Sequence, residues 1–402
     1  MSSNDPRRRI LLELFQAGLD RVSGRSSVAR ALSGSTGPVW VAAIGKAASA
    51  MALGAHDALG PSIERTLIIT KDDHVAPQIH LFRSVQIHES AHPVPDQRSL
   101  EAGASLLKWL QELPRSVEPL FLISGGASSL VEVLEEGVTF EQLGRLNAEG
   151  LASGIAIGEL NARRSKLSRI KGGGVARLLG DRPGRALFIS DVPTDDPAVI
   201  GSGVLGPAPG HADRIERAIV ASLELAVDGV CVAAEKLGLD VRRPTNRFDD
   251  DAARLAVRFT HELHLNAAQV CVWGGESTVQ LPPNPGRGGR NQHLALAAAR
   301  LLAGQPNMML LAAGTDGTDG VTEDAGGLVD SETCARVAVS EMDVDDCVRR
   351  ADSGTALAVS GDLVHTGPTG TNVGDLVIGL KLSQAAARIV VEGRDGLDTH
   401  VL

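Results

Sequence analysis

Eight short apolar runs alternate along the chain with stretches of helical periodicity, and this alternation constrains the fold more than any other feature. The runs lie at 39–44 (VWVAAI), 66–70 (TLIIT), 85–88 (VQIH), 119–123 (PLFLI), 185–190 (RALFIS), 268–273 (AQVCVW), 308–313 (MMLLAA) and 376–380 (LVIGL). Each is too short for a helix and reads as a strand. Helices are expected over 47–58, 97–112, 140–158, 212–237, 250–264 and 291–303. A further helix opens the chain: Asp5 caps it, Pro6 suits its first turn, and Ile10, Leu11, Leu14, Phe15, Leu19 and Val22 recur on one face. Thr139-Phe140-Glu141-Gln142 has the form of a capping box. Strands that alternate with helices form largely parallel sheets covered by helices on both faces, so the fold class is α/β. A chain of 402 residues has room for two or three such domains. The polar segment 238–250 (GLDVRRPTNRFDD) marks the junction, giving domains 1–240 and 241–402.

Composition narrows the partners. Glycine is 45 of 402 residues, about 11% against a usual 7%, and there are seven Phe, three Trp and no Tyr. Flat rings for stacking on single-stranded nucleic acid are scarce. A net charge of -10 also disfavours a nucleic-acid backbone. Cys231, Cys271, Cys334 and Cys347 show no CxxC spacing and read as reduced thiols. The N-terminus, MSSNDPRRR, lacks a signal-peptide core, and no apolar run approaches the roughly 18 residues that span a bilayer. A cytoplasmic protein without a membrane partner is expected, with room for a homodimer.

Polar glycines gather just past the strands, where open α/β sheets bind ligands. Gly45-Lys46 puts a cation at a helix opening, though a solvated lysine is the plain alternative. Ser124-Gly125-Gly126-Ala127-Ser128-Ser129 offers bare amides and hydroxyls to a phosphate; a tight turn needing positive φ is the alternative. It is not a Walker motif. Arg163, Arg164, Lys166, Arg169 and Lys171 place five cations in nine residues, followed by Gly172-Gly173-Gly174. They suit an anionic ligand, or else an exposed helix face. Asp191, Asp195 and Asp196 follow a strand; Asp191 is the best placed for metal holding or general-base work, with turn chemistry as the alternative. Glu276 and the loop carrying Arg287 and Arg290 suit bidentate anion contacts. Asp316 and Asp319 sit between glycines in GTDGTDG, in the manner of a cation- or hydroxyl-binding loop, with a plain turn as the alternative, and 366–372 (TGPTGTN) is rich in hydroxyls.

Taken in order, these pieces resemble the glycerate 2-kinase family, whose C-terminal half is the MOFRL domain. The pieces are IGKAA (44–48), HPVPD (92–96), ISGGASSL (123–130), LNARRSKLSRIKGGG (160–174), ISDVPTDDPAVIGSG (189–203), GGEST (274–278), GRGGRNQ (286–292), GTDGTDGVT (314–322) and TGPTGTNVGDL (366–376). The resemblance implies a Rossmann-like N-terminal domain, a MOFRL-type C-terminal α/β domain and an active site in the cleft between them. It implies transfer of the ATP γ-phosphoryl group to the 2-hydroxyl of D-glycerate with Mg²⁺, and essential cations at Lys46 and Arg290. Ala127, Ser129, Lys166, Thr194, His293 and Val321 stand where the family usually has other residues.

The resulting expectation assigns catalysis to Lys46, Arg290 and Asp191. Nucleotide contacts are expected at Ser124, Gly125, Gly126, Ala127, Ser128, Lys171, Gly172, Thr366, Gly367, Thr369 and Asn372. Contacts to the hydroxy-acid acceptor are expected at Lys46, Asn161, Arg163, Glu276, Arg287, Arg290 and Asp316, and Mg²⁺ at Asp191 and Asp316. Two alternatives stand beside it. A hydroxypyruvate reductase would need a dinucleotide fingerprint, and no G-x-G-x-x-G with a later acidic residue follows the first strand. A non-catalytic ligand-binding relative would have no need of Asp191 beside a phosphate cradle.

Overall fold

The computed structural model describes residues 5–153, 157–208, 210, 214–243 and 245–395. The chain divides into two compact units. One holds Val22–Ser222 with Gly370–Val373; the other holds the residues up to Arg21, Leu223–Thr369 and the residues from Gly374 onward.

The first unit is built on six strands: β1 (Val39–Ile44), β2 (Ile63–Lys71), β3 (Val85–Ser90), β4 (Glu118–Ile123), β5 (Pro183–Ile189) and β6 (Arg214–Ala221). Their order is β3-β2-β1-β4-β5-β6 and every pair is parallel. β1 is buried along its whole length, as a strand covered on both faces must be. Trp40, Ala42, Ile44, Phe121, Ile123 and Phe188 pack on one face with Leu106 and Trp109 of helix Gln97–Glu112 and Val175 of helix Gly174–Leu179. Val41, Ala43, Leu120 and Leu122 alternate with them and are equally buried, on the face covered by helices Gly24–Ala31 and Ala48–Leu59. The strand order reverses between β1 and β4, so the switch point of this doubly wound sheet lies between their carboxyl ends.

The second unit holds β7 (Val241–Arg242), β8 (Val270–Gly275), β9 (Met308–Gly314), β10 (Gly326–Asp330), β11 (Leu363–Val364) and β12 (Asp375–Lys381), in the order β11-β10-β9-β12-β8-β7. The expectation of a second largely parallel sheet is corrected here. Of the named pairs only β7–β8 is parallel; β12 runs antiparallel to β8 and β9, and β10 to β9 and β11. The connection from β9 to β10 carries no helix, and a parallel return needs a longer crossover. Helices Ala252–Leu265 and Arg290–Leu302 pack their apolar residues against Trp273, Leu310, Ala312, Val329 and Val377.

Helix Pro6–Arg21 packs against helix Leu223–Lys236, and a Cβ at Gly18 would lie 2.8 Å from Val230 Cγ2. Arg8 donates to Asp330 (3.1 Å) and to Asp362 (2.8 Å), anchoring this helix in the second unit. The units therefore part at Arg21/Val22 and Ser222/Leu223, and the expected 240/241 junction falls inside the second unit. One helix expectation also changes. Within the span 212–237, Arg214–Ala221 is β6, an amphipathic edge strand, before helix Leu223–Lys236; the span 140–158 holds helix Phe140–Ser153 and the start of helix Ile157–Ser165, with 154–156 and 212–213 outside the described residues. The capping box forms as its sequence implies: Thr139 N donates to Gln142 Oε1 (2.7 Å) and Gln142 N to Thr139 Oγ1 (3.3 Å). Among the described residues no helix is long and apolar enough to cross a membrane.

Candidate active site

In the first unit the turns after β1 and β4 are bonded to each other. Lys46 N donates to Gly125 O (2.9 Å), Ala47 N to Ser124 Oγ (3.0 Å), and Thr70 Oγ1 to Gly45 O (3.0 Å). Ser124 is buried and its hydroxyl oxygen holds this brace, which corrects its expected place on a nucleotide. At Gly125 any Cβ would fall on Asp191 Oδ2 and Asn372 Nδ2, so only glycine lets Asp191 come up against the turn. Asn372 Nδ2 donates to Asp191 Oδ2 at 3.3 Å. Gly126 has φ 87°, and a Cβ there would sit 3.1 Å from Lys46 Cγ and 3.2 Å from His92 Cδ2. Half-buried Ser128 lies 2.7 Å, Oγ to Oγ, from Ser202. Lys46, Gly125, Gly126, Asp191 and Asn372 are thus brought together beside the switch point, while Ala127 is fully buried behind them. Sequence reasoning did not place His92 at this site; its signal was the HPVPD segment just past β3.

The basic segment divides. Lys171 is 1% exposed and forms an ion pair with Glu132, also 1% exposed. Ser168 Oγ (2.5 Å) and Val133 N (3.0 Å) donate to the same carboxylate. Burial pulls the Lys171 ammonium below the usual lysine range, against the attraction of Glu132. Lys171 is therefore a core residue, and its expected contact with nucleotide is corrected. The triple glycine has a packing reason. Gly172 N donates to Ser202 O (3.0 Å), Gly173 N donates to Gly203 O (2.7 Å), and a Cβ at Gly174 would fall on Arg169 O. Asn161 Oδ1 accepts from Ser202 Oγ (3.0 Å), and Arg163 pairs with Glu159 (2.5 Å) on an exposed helix face.

In the second unit Arg290 opens its helix with the guanidinium against Glu276. It also donates to Ser277 O (3.1 Å) and lies 3.5 Å from Asp375 Oδ2. Burial disfavours the Arg290 charge, but Asp375, Glu276 and Asp319 outweigh it and raise its pKa. Asp319 accepts from Asn291 N (3.1 Å) and Gln292 N (2.8 Å), capping the helix from a separate loop. Burial pushes the Asp319 carboxyl up to about 7 and that of Asp375 up to about 6. Asp316 Oδ1 accepts from Thr318 N (3.0 Å) and Oγ1 (3.1 Å), and Arg287 pairs with Asp324 (3.1 Å). Thr369 Oγ1 donates to Thr315 O (2.5 Å), while Thr366 and Gly367 press on Gly317. These three brace the turn after β9. Asp375 was not foreseen at this cluster, because it is the first residue of an apolar strand; Asp319 was expected, with Asp316, in a cation- or hydroxyl-binding loop, and its capping of the Arg290 helix was not foreseen.

Chemically, the first unit offers a cation, bare turn amides and one carboxylate; the second offers a guanidinium held by carboxylates. That is equipment for anions and for charge that moves. Among the described residues no three His, Cys, Asp or Glu side chains gather as a metal cage.

The comparisons with known proteins agree with this chemistry. A family described as a domain of unknown function, DUF4147, matches residues 10–230, and the MOFRL family matches 269–375. The D-glycerate 2-kinase of Thermotoga maritima is 35% identical over 381 residues, covering 85% of this chain and 90% of that protein. The glycerate 2-kinase of Pyrococcus horikoshii is 30% identical over 397 residues, covering 87% and 88%. The crystal structure of a glycerate kinase from Thermotoga maritima matches with a TM-score of 0.84 at 33% identity, over 93% of this chain and 99% of that one. With both domain families in sequence and likeness over most of its length, the chain belongs to the glycerate 2-kinase family.

Proposed function

We propose that this chain is a kinase that transfers the γ-phosphoryl group of ATP to the 2-hydroxyl of D-glycerate, giving 2-phosphoglycerate. The observation that carries this reading is the meeting of Lys46, the Gly125-Gly126 turn and Asp191 at the carboxyl ends of β1, β4 and β5. Phosphoryl transfer asks a protein mainly for positioning and charge neutralisation. The amides of the Gly125-Gly126 turn hold nucleotide phosphates. Lys46 neutralises the transferring group. Asp191 takes the proton of the attacking hydroxyl or holds Mg²⁺. Arg290, with its planar fork, grips the acceptor carboxylate.

The donor set fits magnesium in one particular way. No protein cage is built among the described residues, and Mg²⁺ characteristically binds through one or two carboxylates together with substrate phosphates. Asp191, against Gly125 of the turn, is the carboxylate of that kind; bound there, Mg²⁺ would neutralise phosphate charge. A reductase finds no support in the first strand-to-helix turn, which reads Ile44-Gly45-Lys46-Ala47-Ala48.

The test is ADP release on D-glycerate, L-glycerate, tartronate, erythronate and threonate, with the phosphate position of the product read by NMR. Turnover fastest with D-glycerate, giving the 2-phosphate, is expected. NADH consumption with hydroxypyruvate and no ADP release would overturn the reading.

A further inference from the structure

Four polar side chains of the first unit form a hydrogen-bond chain whose direction is fixed. Arg164 Nη1 lies 3.4 Å from Asn161 Oδ1, and Ser202 Oγ lies 3.0 Å from the same atom. A guanidinium only donates, so the amide atom facing Arg164 is the oxygen. Ser202 must then donate its one proton to Asn161. Ser202 Oγ is 2.7 Å from Ser128 Oγ, and with its own proton committed it can only accept there. The proton between the two serines therefore comes from Ser128.

Ser202 is 3% exposed and stands at φ 58° between Gly201 and Gly203, so it has little freedom to turn away. Arg164 is held from its other side as well, with Nε donating to Asn147 Oδ1 (2.9 Å). Ser128 is the solvent-facing end of the chain, on the turn after β4. Its hydroxyl presents only lone pairs to a ligand. The phosphate oxygens of ATP are acceptors too and gain nothing from it; a hydroxyl on the ligand does. This differs from the expectation that Ser128 donates to phosphate.

We propose that Ser128 is a specificity-determining residue that accepts a hydrogen bond from the hydroxyl of the acceptor that is not phosphorylated, selecting hydroxy acids that carry a second hydroxyl. The inference rests on the kinase reading above and concerns the same site. Arg164, Asn161 and Ser202 act through Ser128 as positioning residues.

Titration calorimetry with D-glycerate and D-lactate, which lacks the second hydroxyl, tests it on wild type, Ser128→Ala and Ser202→Ala. Wild type should bind D-glycerate about tenfold more tightly than D-lactate. Ser128→Ala should abolish that preference while leaving D-lactate, a non-hydrolysable ATP analogue and the Mg²⁺ dependence of its binding unchanged. Ser202→Ala frees the Ser128 proton and should reduce the preference, and the double variant should match Ser128→Ala alone. A preference that survives Ser128→Ala, or a loss that falls on the nucleotide, on Mg²⁺ or equally on both acids, overturns the proposal. Absence of ADP release by wild type would overturn the kinase reading separately, with the binding preference still readable.

Discussion

Asn372 donates from Nδ2 to Asp191 Oδ2 at 3.3 Å, joining the turn after β5 to a segment 181 positions later in the sequence. Both side chains press on Gly125, which leaves no room for a Cβ between them and the Gly125-Gly126 turn. Gly125→Ala should therefore displace Asp191 from the turn. A displacement of about 1 Å at a reacting centre costs on the order of 10²-fold in rate. A drop of that size in kcat is expected, with an unchanged far-ultraviolet circular dichroism spectrum. Turnover near wild type would mean that Asp191 does not act from this position.

Lys46 and Arg290 carry separate predictions because their surroundings differ. Lys46→Met removes a cation whose stem lies over Gly126, and at least a hundredfold loss in kcat/KM is expected from lost charge at the transferring group. Arg290→Lys keeps the charge but cannot meet Glu276, Ser277 O and Asp375 together, so KM for the acceptor should rise by about tenfold or more. Steady-state kinetics at saturating ATP checks both; losses of only a few-fold would refute the roles.

Much of the first unit was legible because its strands are continuous apolar runs bounded by glycine. Buried parallel strands leave that trace. The second sheet was misread because an apolar run carries no sign of strand direction: MMLLAA and LVIGL look alike whether parallel or antiparallel. β6 was hidden because RIERAIVA also suits a helix, and only its place at a sheet edge decides the matter. Lys46, Gly125 and Asp191, which the motifs singled out, lie together in the structure, but charge alone misplaced Lys171. A lysine bound for the core and one bound for solvent look the same until Glu132, 39 positions earlier, is seen beside it. Asp375 and Ser202 were illegible for the same reason, since their partners Arg290 and Ser128 are distant in sequence.

The Glu132–Lys171 pair makes a stability prediction free of catalysis. Breaking a buried pair leaves an uncompensated charge and costs about 3–5 kcal/mol, whereas replacing both partners by apolar residues of similar size is often neutral or stabilising. Glu132→Gln should lower the urea midpoint markedly, and Glu132→Leu combined with Lys171→Met should restore much of it. Equal destabilisation by the single and double variants would show that Ser168 and the Val133 amide, orphaned by the double change, matter more than the charges.

The buried carboxylates of the second unit predict an unusual pH dependence. Asp319 titrates at about 7, chiefly because burial disfavours its charge, whereas an unfolded aspartate titrates near 3.8. Between these values the folded state keeps a proton that the unfolded state has released. The contribution of Asp319 to stability therefore falls as pH rises from about 4 to about 7, by at most about 4 kcal/mol. Asp375, raised to about 6 chiefly by burial, acts in the same direction, and its charge helps to raise Asp319. Asp319→Asn removes this titration, and it also loses one of the two acceptors that cap Asn291 and Gln292. The variant should be less stable than wild type near pH 4.5, and the difference should shrink or reverse near pH 8. Other groups, such as Asp330 with its lowered pKa, contribute alike to both proteins and cancel in the difference. Thermal unfolding of the two proteins across this range reads the result directly, and a difference that does not vary with pH would show that Asp319 is ionised throughout.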